Sequence, residues 1–437
     1  MTPAAARLAP VLCALVCLAI AVPASCGASP ARPGDLGAWP GDDIGTTARA
    51  QQWPLRALEA EKAWRRSQGE GVVVAVLDTG VNPRHPDLAG VVTQGPDLTG
   101  GRRDSRHWGH HGTAMASLIA GRGHGPGRER GVLGIAPAAE ILSIRVTLEN
   151  DDPLRSRSRP VGSDALARGI RYAADHGADV ISMSLGGGSG TWEGSAAEEE
   201  AVQYALRRGA VLVASSGNDG AGANRKNFPA AYPGVIAVGA VDERLRITSF
   251  SNRQPYVSVT APGARIVSAD GTTSYVVGDG TSSAAALVAG VAALIRAEYP
   301  ALRPAQVRRA IEQGVTRRPA ASPAYRAAPD RATRYGRFPG HAHDPAYGHG
   351  VVNAALALRE AARIARRAGA PAVPGTTAAP PRQALPAVPG GADLGRMYFG
   401  GGPAPVESEG SRPAIGAALV MLTLAMAATV VIRSRRR

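Results

Sequence analysis

The chain has 437 residues, 44% of them hydrophobic, which is enough for one large α/β domain with additional segments. Its formal net charge of +14 comes from arginines scattered along the chain, and aromatic residues make up only 4%, which argues against nucleic acid as a partner. All three cysteines (Cys13, Cys17 and Cys26) lie near the start, so the remainder is predicted to have no disulfide.

The first predicted element is a secretory signal peptide over residues 1–24. Arg7 precedes an uncharged apolar stretch from Leu8 to Val22, and small residues around Ala24 offer a cleavage point. An uncleaved membrane anchor is the alternative interpretation. Residues 25–50 then form a short N-terminal extension, which either crosses a cleft of the following domain or packs beside it.

The middle of the chain, residues 51–369, alternates strand and helix patterns. Strands are predicted from unbroken apolar, β-branched runs, and helices from runs that begin at a capping residue or end at glycine. The predicted strands are 71–77, 179–184, 210–214 and 235–241, and the predicted helices are 164–176, capped by Ser163, and 196–208. This alternation predicts an α/β fold with a mostly parallel central sheet and helices on both faces.

Two segments of this domain are predicted to be surface loops. Residues 121–131 are rich in glycine, and residues 149–160 contain alternating arginine and serine. The second segment could instead bind an acidic group or be a cleavage site. A solvated loop is the simpler interpretation of both.

The C-terminal part predicts a membrane anchor. Residues 370–413 are rich in proline, glycine and alanine, as in an extended, semi-rigid linker. Ala414 to Ile432 carries no charge and would span roughly 28 Å as a helix, close to the ~30 Å hydrocarbon core of a bilayer. The basic tail 433–437 predicts a single-pass protein whose domain lies outside the cytoplasm. A buried core helix is the weaker alternative.

Three short motifs predict catalytic chemistry. Asp78 follows the strand 71–77, His111 begins His-Gly-Thr, and Ser282 opens a helical run after Gly280-Thr281. A serine hydroxyl is a weak nucleophile, so it needs a base such as His111 to take its proton and an acid such as Asp78 to orient that base. Each motif alone would more often be a turn, but their joint occurrence at strand ends and a helix start favours a triad.

An oxyanion site is also expected. Ser282 at a helix start exposes its own backbone N–H, and Asn218, after the strand 210–214, could supply a second donor from its side-chain amide. Another acid–histidine pair, Asp175-His176, falls at a helix end and is interpreted as part of that helix terminus.

The motifs resemble those of the subtilisin-like serine proteases, the subtilase family. The resemblance lies in residues 77–82 with His85-Pro86-Asp87-Leu88, in residues 111–121, and in Gly280-Thr281-Ser282 with Val288-Ala289-Gly290. It extends from about Gln52 to about Arg359 and implies a subtilisin-like fold, the triad Asp78, His111 and Ser282, and the oxyanion donor Asn218. His110 stands beside His111, but the Gly-Thr that follows selects His111.

The resemblance also implies a substrate site and a cellular role. It assigns Ser184, Leu185 and Gly186 to a segment that pairs with the substrate backbone as an added strand, with Ser216 and Gly217 also at the substrate. No dense carboxylate loop supports calcium, so no metal or cofactor is predicted. A short extension in place of a long pro-domain, a proline-rich linker, one membrane helix and a basic tail resemble the mycosins, which are proteases of type VII secretion.

Two functions are therefore expected from different classes. The first is a membrane-anchored endopeptidase that cleaves exported proteins, for which the resemblance to the mycosins implies type VII secretion components as partners. The second is a structural or capping component of a secretion complex in which proteolysis is secondary. The intact triad motifs favour the first, and the predicted helix 414–432 disfavours a freely secreted protease.

Overall fold

The computed structural model describes residues 44–100, 107–157, 164–186, 194–316, 343–369, 372 and 395–398. Its helices are α1 (Ile44–Ala50), α2 (Trp53–Ala57), α3 (Ala60–Trp64), α4 (His110–Ala120), α5 (Pro153–Arg157), α6 (Asp164–Asp175), α7 (Ala196–Arg207), α8 (Thr281–Glu298), α9 (Pro304–Gln313) and α10 (Ala354–Ala368). Two short 3₁₀ helices cover Pro86–Leu88 and Pro126–Arg128.

The strands follow the same chain order. They are β1 (Val73–Asp78), β2 (Val92–Asp97), β3 (Arg122–His124), β4 (Arg130–Leu133), β5 (Glu140–Arg145), β6 (Val180–Met183), β7 (Val211–Ser215), β8 (Ile236–Val241), β9 (Val257–Pro262), β10 (Ile266–Ala269), β11 (Tyr275–Asp279), β12 (Val315–Thr316), β13 (Val351–Val352) and β14 (Gly395–Tyr398).

A nine-stranded sheet organises the fold, in the order β12-β13-β9-β8-β7-β6-β1-β5-β2. Every neighbouring pair in it is parallel except β12 with β13. Parallel strands place their carboxyl ends at one edge, which is where such sheets bind ligands. Strands β6, β1 and β7, which precede most of the predicted site residues, lie together near the centre of that edge.

The strand β1 shows how the sequence builds a layer on each side of the sheet. Val74 and Val76 belong to one hydrophobic core, shared with α4, α8, α9 and α10, whereas Ala75 and Leu77 belong to a second core under α6 and α7. Side chains alternate across a strand, so an unbroken apolar run is buried on both faces. The α/β fold with a mostly parallel sheet and helices on both faces is thereby confirmed.

Helix α8 is the central helix of the domain. All of its residues except Ala297 are buried. It is long and apolar enough to cross a membrane, and within the described ranges it alone meets that test, but 94% of it is enclosed by the protein. Burial on all sides makes α8 a core helix, which holds Ser282 at its N-terminus in a fixed place.

The predicted strands and helices agree with the structure to within one or two residues at most ends. The predicted loop 121–131 is different: β3 and β4 form an antiparallel pair there, joined by a 3₁₀ turn. That prediction was wrong because the hairpin strands are short and arginine-bearing, with little apolar alternation. In the predicted loop 149–160, α5 is helical and Glu149 and Asp152 are buried.

At both ends of the domain, segments predicted to lie outside it contribute a helix or a strand to it. Helix α1 comes from the predicted N-terminal extension, yet its Ala48 and Arg49 are buried, and Arg49 donates to the carbonyl oxygens of Gly131, Arg128 and Arg130 at 2.7–3.1 Å. In the predicted linker 370–413, β14 pairs in parallel with β11. The signal peptide 1–24, the anchor 414–432 and the tail 433–437 lie outside the described residues and stay predictions.

Candidate active site

The predicted site residues converge at the carboxyl edge of the large sheet. Asp78 is the last residue of β1, and His111 lies in the first turn of α4. Ser282 lies in the first turn of α8, while Ser184 and Asn218 follow β6 and β7. Three neighbouring strands and two helix starts thus bring together residues as distant in sequence as Asp78 and Ser282.

Asp78 and His111 form a hydrogen-bonded pair. The Nδ1 atom of His111 lies 2.7 Å from Oδ1 of Asp78, and the Asp78 side chain is fully buried. The same Oδ1 accepts the backbone N–H of Thr79 at 2.8 Å. His110, by contrast, accepts the backbone N–H of Gly271 on its Nδ1 atom, so His111 is the histidine that faces Asp78.

Small residues around this pair let α4 approach β1 closely. A Cβ atom on Gly112 would lie 2.0 Å from the carbonyl oxygen of Gly80, so only glycine fits there. The backbone N–H of Gly112 donates to the Thr79 hydroxyl at 3.0 Å. The Asp-Thr-Gly and His-Gly-Thr motifs are therefore joined by two hydrogen bonds, one between Gly112 and Thr79 and one between His111 and Asp78.

The surroundings of His111 favour its protonated form. Burial of the imidazole acts to lower its pKa, but the charge and hydrogen bond of Asp78, with the charge of Glu149, outweigh it. The opposing charge of Arg155 reduces the effect without reversing it. The pKa of His111 is therefore raised above its usual value, as a base that must hold a transferred proton requires.

Ser282 and Ser184 are joined by reciprocal hydrogen bonds. The Ser282 hydroxyl lies 3.3 Å from the carbonyl oxygen of Ser184, to which it donates. The Ser184 hydroxyl donates in turn to the carbonyl oxygen of Ser282 at 3.0 Å. These bonds fix the start of α8 against the end of β6, and both side chains are nearly buried.

Asn218 is oriented by Thr281, the residue before Ser282. Oδ1 of Asn218 accepts both the backbone N–H of Thr281, at 2.9 Å, and its hydroxyl, at 3.0 Å. A backbone N–H is a donor only, so the atom that faces it must be the amide oxygen, which fixes the orientation of the amide. The NH₂ group of Asn218 consequently points away from Thr281, as an oxyanion donor would need to do.

The predicted substrate segment 184–186 is held by a buried asparagine. Asn227 donates through Nδ2 to the carbonyl oxygens of Ser215, at 2.9 Å, and Leu185, at 3.3 Å. Gly186 has φ of 127°, and a Cβ atom there would lie 2.1 Å from that Nδ2. Glycine at 186 is therefore required by the approach of Asn227 as well as by the backbone conformation.

The other predicted substrate residues, Ser216 and Gly217, have different surroundings. Ser216 is fully buried, so its side chain cannot contact a substrate, although its backbone is at the end of β7. Gly217 donates its N–H to the Thr281 hydroxyl at 3.3 Å, and its carbonyl oxygen accepts the N–H of Asn252 at 3.0 Å. Both residues thus position Asn218 and the strand end through their backbone.

Reasoning from the sequence missed four residues that hold the site together, namely Thr281, Asn227, Asn252 and Glu149. Thr281 carried a signal, because it lies inside the serine motif directly before the nucleophile candidate. The others lie in loops without periodicity. The pair Asp175-His176 lies elsewhere, as expected: His176 bonds to the carbonyl oxygen of Tyr172, and Asp175 accepts the Tyr204 hydroxyl. Across the described ranges, no group of three or more His, Cys, Asp or Glu side chains could hold a metal ion.

An aspartate, a histidine and a serine brought together at the carboxyl edge of a parallel sheet are the arrangement expected of a serine hydrolase. The family comparison agrees with that class. The chain belongs to the subtilase family, whose model matches residues 69–350.

Named relatives of the chain are proteases. Thermitase of Thermoactinomyces vulgaris is 39% identical over 252 residues, which cover 57% of this chain and 83% of thermitase. Fervidolysin of Fervidobacterium pennivorans is 36% identical over 301 residues, covering 62% of this chain and 41% of fervidolysin. The match thus spans less than half of the length of fervidolysin.

Solved structures show the same similarity. The crystal structure of fervidolysin, a keratinolytic enzyme related to subtilisin, has a TM-score of 0.59 at 32% identity over 72% of this chain and 47% of that one. The MycP3 protease from the type VII (ESX-3) secretion system has a TM-score of 0.55 at 31% identity, over 73% of this chain and 90% of MycP3.

Proposed function

We propose that this chain is a membrane-anchored serine endopeptidase that hydrolyses peptide bonds of exported proteins. The observation that carries the proposal is the bond of 2.7 Å between Asp78 and His111, at the same edge of the sheet as Ser282 in the first turn of a buried helix. In this proposal Ser282 is the nucleophile, His111 the general base, and Asp78 the residue that orients the imidazole.

The first half-reaction forms an acyl-enzyme. The Ser282 hydroxyl oxygen attacks the carbonyl carbon of the scissile peptide bond as Nε2 of His111 takes the hydroxyl proton. Nδ1 of His111 keeps its proton because it donates to Asp78, so Nε2 is the ring nitrogen that can take the proton. The C–N bond then breaks, and the imidazolium returns its proton to the leaving amine.

The second half-reaction releases the acid product. A water molecule gives a proton to Nε2 of His111 and attacks the ester carbon. The ester C–O bond breaks, and Ser282 regains its hydroxyl proton from the imidazolium. In both halves the developing oxyanion would be stabilised by the NH₂ of Asn218 and the backbone N–H of Ser282, at the positive end of α8.

Substrate binding is proposed along the segment after β6. Ser184, Leu185 and Gly186 would pair with an extended peptide through their backbone, as an added strand. Ser215 and Asn227 hold the Leu185 carbonyl from the protein side at 2.9 and 3.3 Å, so the segment is rigid before substrate arrives. Ser216 and Gly217 would act on the substrate indirectly, through the backbone bonds that position Asn218.

The proposed location is a membrane surface, with the protease domain extracytoplasmic. It is supported by the uncharged stretch 414–432 followed by the basic tail, and by the signal-like start of the chain. Similarity to MycP3 supports the further proposal that the protein acts beside type VII secretion components. No nucleic-acid partner and no cofactor enter the proposal.

The test is labelling of the purified full-length chain with a fluorophosphonate probe, with the Ser282→Ala variant and a Ser283→Ala control alongside. We expect wild type and Ser283→Ala to label and to cleave an unstructured protein substrate. Ser282→Ala should not label, and its turnover should fall by about 10⁴-fold or more. Labelling of Ser282→Ala at the wild-type level would refute the assignment of the nucleophile.

The alternative, a structural component of a secretion complex, is separated by the same variant. If Ser282→Ala abolishes cleavage and secretion still proceeds in cells that carry only this variant, the role in secretion is structural. Loss of both activities would make proteolysis the essential function.

A further inference from the structure

A carboxylate from a distant loop holds the first turn of the helix that carries His111. The N-cap position of α4 is Gly109, which has no side chain to accept the first backbone N–H groups. The N–H of His111 donates instead to Oε1 of Glu149 at 2.9 Å. Glu149 lies 38 positions further along the chain, after β5, and is only 7% exposed.

The segment that carries Glu149 is itself fixed. Asp152 Oδ1 accepts the N–H of Leu154 at 2.8 Å, and the guanidinium of Arg155 donates to the carbonyl oxygen of Leu148 at 2.5 Å. The N–H of Asp152 also donates to the Glu149 carbonyl at 3.2 Å. These hydrogen bonds hold the residues on both sides of Glu149 in a fixed turn.

Charge gives this contact a role beyond capping. The N-terminus of a helix is its positive end, which opposes a positive charge on His111 in the first turn. A buried carboxylate at that end offsets the helix charge and attracts the imidazolium. The charged groups that act on His111 are Asp78 on β1, Glu149, and Arg155 on α5. His107 and Asp151, which lie 3.2 Å apart, are on the adjoining segments.

We propose that Glu149 is a positioning residue for the proposed hydrolysis: its carboxylate fixes the first turn of α4, and its charge stabilises the imidazolium that His111 forms when it takes the Ser282 proton. This inference rests on the proposed function. It predicts that Glu149 and Arg155 act on His111 with opposite sign, which a general effect on folding would not produce.

The experiment compares Glu149→Gln, Glu149→Ala and Arg155→Gln with an exposed control, Glu199→Gln, in the full-length chain. Glutamine at 149 keeps an acceptor oxygen for the His111 N–H and removes the charge. The measurements are kcat/KM against pH and direct titration of the His111 ring by NMR.

With Glu149→Gln, the acid limb of kcat/KM should move to lower pH, so the ratio of kcat/KM at pH 6 to that at pH 8 rises about two- to four-fold. Arg155→Gln should move the limb to higher pH. Glu149→Ala should also lose about ten-fold in kcat at pH 8, because the helix turn loses its partner, and Glu199→Gln should match wild type.

A Glu149→Gln profile and His111 titration that coincide with wild type would overturn the inference. Shifts of Glu149→Gln and Arg155→Gln in the same direction would also overturn it. If wild type hydrolyses nothing, the proposed function fails separately, and the NMR titration of His111 still decides whether Glu149 stabilises the imidazolium.

Discussion

The N-termini of α4 and α8 are capped in similar ways, but the two capping side chains differ in charge. Each begins after a glycine, and each is capped by a side chain from far along the chain. At α4 the cap is the carboxylate of Glu149, and at α8 it is the neutral amide of Asn218. One helix start thus receives a negative charge, whereas the other keeps its positive character.

The difference matches the charge that each helix start would meet in the proposed reaction. His111 on α4 becomes a cation when it takes a proton, so an anionic cap there is favourable. Beside Ser282 on α8 an oxyanion would develop, and a neutral cap does not cancel the positive helix end that would stabilise it. In the proposed reaction the start of α4 would therefore stabilise the positive charge on His111, and the start of α8 would stabilise the negative charge of the oxyanion.

The largest expected effect on kcat comes from replacing the neutral cap of α8 by a negatively charged one. Asn218→Asp keeps an acceptor for the Thr281 N–H and hydroxyl, so the helix start remains capped. It replaces the NH₂ donor by a negative charge next to the developing oxyanion. We expect kcat to fall by about 10³-fold or more, exceeding the roughly 10²–10³-fold typical for loss of one oxyanion donor.

The melting temperature separates this electrostatic effect from a folding defect. Asn218→Asp should melt at or above the wild-type temperature, because a carboxylate caps a helix about as well as an amide and its negative charge is also favourable at a helix N-terminus. Asn218→Ala is the matched control, with a smaller loss of kcat and a lower melting temperature. Equal kcat values for the two variants would contradict the proposed division of charge.

How far the sequence predicts this site depends on the kind of contact. Asp78, His111 and Ser282 lie at the ends of elements with strong patterns, so their convergence follows once the sheet is recognised as parallel. The cap of α4 does not follow, because Glu149 reaches it from a loop without periodicity. For Asn218 the sequence predicts a place at the site but not its bonds to Thr281. The alternating arginine and serine of residues 149–160 predict a solvated loop, whereas the bond of Glu149 to the His111 N–H explains why this residue is buried.

The strands that the sequence does not predict also lack a periodic pattern of side chains. The strand pair β3 and β4 was predicted as a loop, since three- and four-residue strands carry too few side chains to show alternation. Strand β14 lies in a segment whose composition predicts a linker, and it exists through backbone pairing with β11. Backbone pairing of this kind leaves almost no mark on the sequence.

An intermediate effect should follow from filling the space between α4 and β1. Alanine in place of glycine inside a helix normally stabilises a protein by about 1 kcal/mol. At Gly112 the new methyl group would lie 2.0 Å from the Gly80 carbonyl oxygen, and backbone cannot move aside cheaply. We expect Gly112→Ala to destabilise the domain by about 2–3 kcal/mol, measured by chemical denaturation.

The same variant tests whether the close approach of α4 serves the site. If Gly112→Ala moves α4 outward, the His111–Asp78 bond lengthens and kcat should fall together with stability. An unchanged or raised free energy of unfolding would show that the start of α4 tolerates displacement. The close approach of α4 to β1 would then not be what holds His111 at Asp78.

The smallest expected effect is the pH dependence of stability that comes from His111. Its pKa is raised in the folded protein, because Asp78 and Glu149 outweigh burial. The folded state therefore binds the His111 proton more tightly than the unfolded state, whose pKa is about 6.5. This contribution to stability is fully present below pH 6.5 and is lost as pH rises through the folded-state pKa.

Activity should follow the opposite course over the same pH range, because the proposed base must be neutral to accept the Ser282 proton. The difference in free energy of unfolding between wild type and His111→Gln isolates the contribution of this one group. It should grow in favour of wild type as pH falls from 8.5 to 5.5, while kcat/KM of wild type falls. A difference independent of pH would mean that Asp78 and Glu149 do not favour the imidazolium, and the carboxylate at the start of α4 would then be a cap for the helix alone.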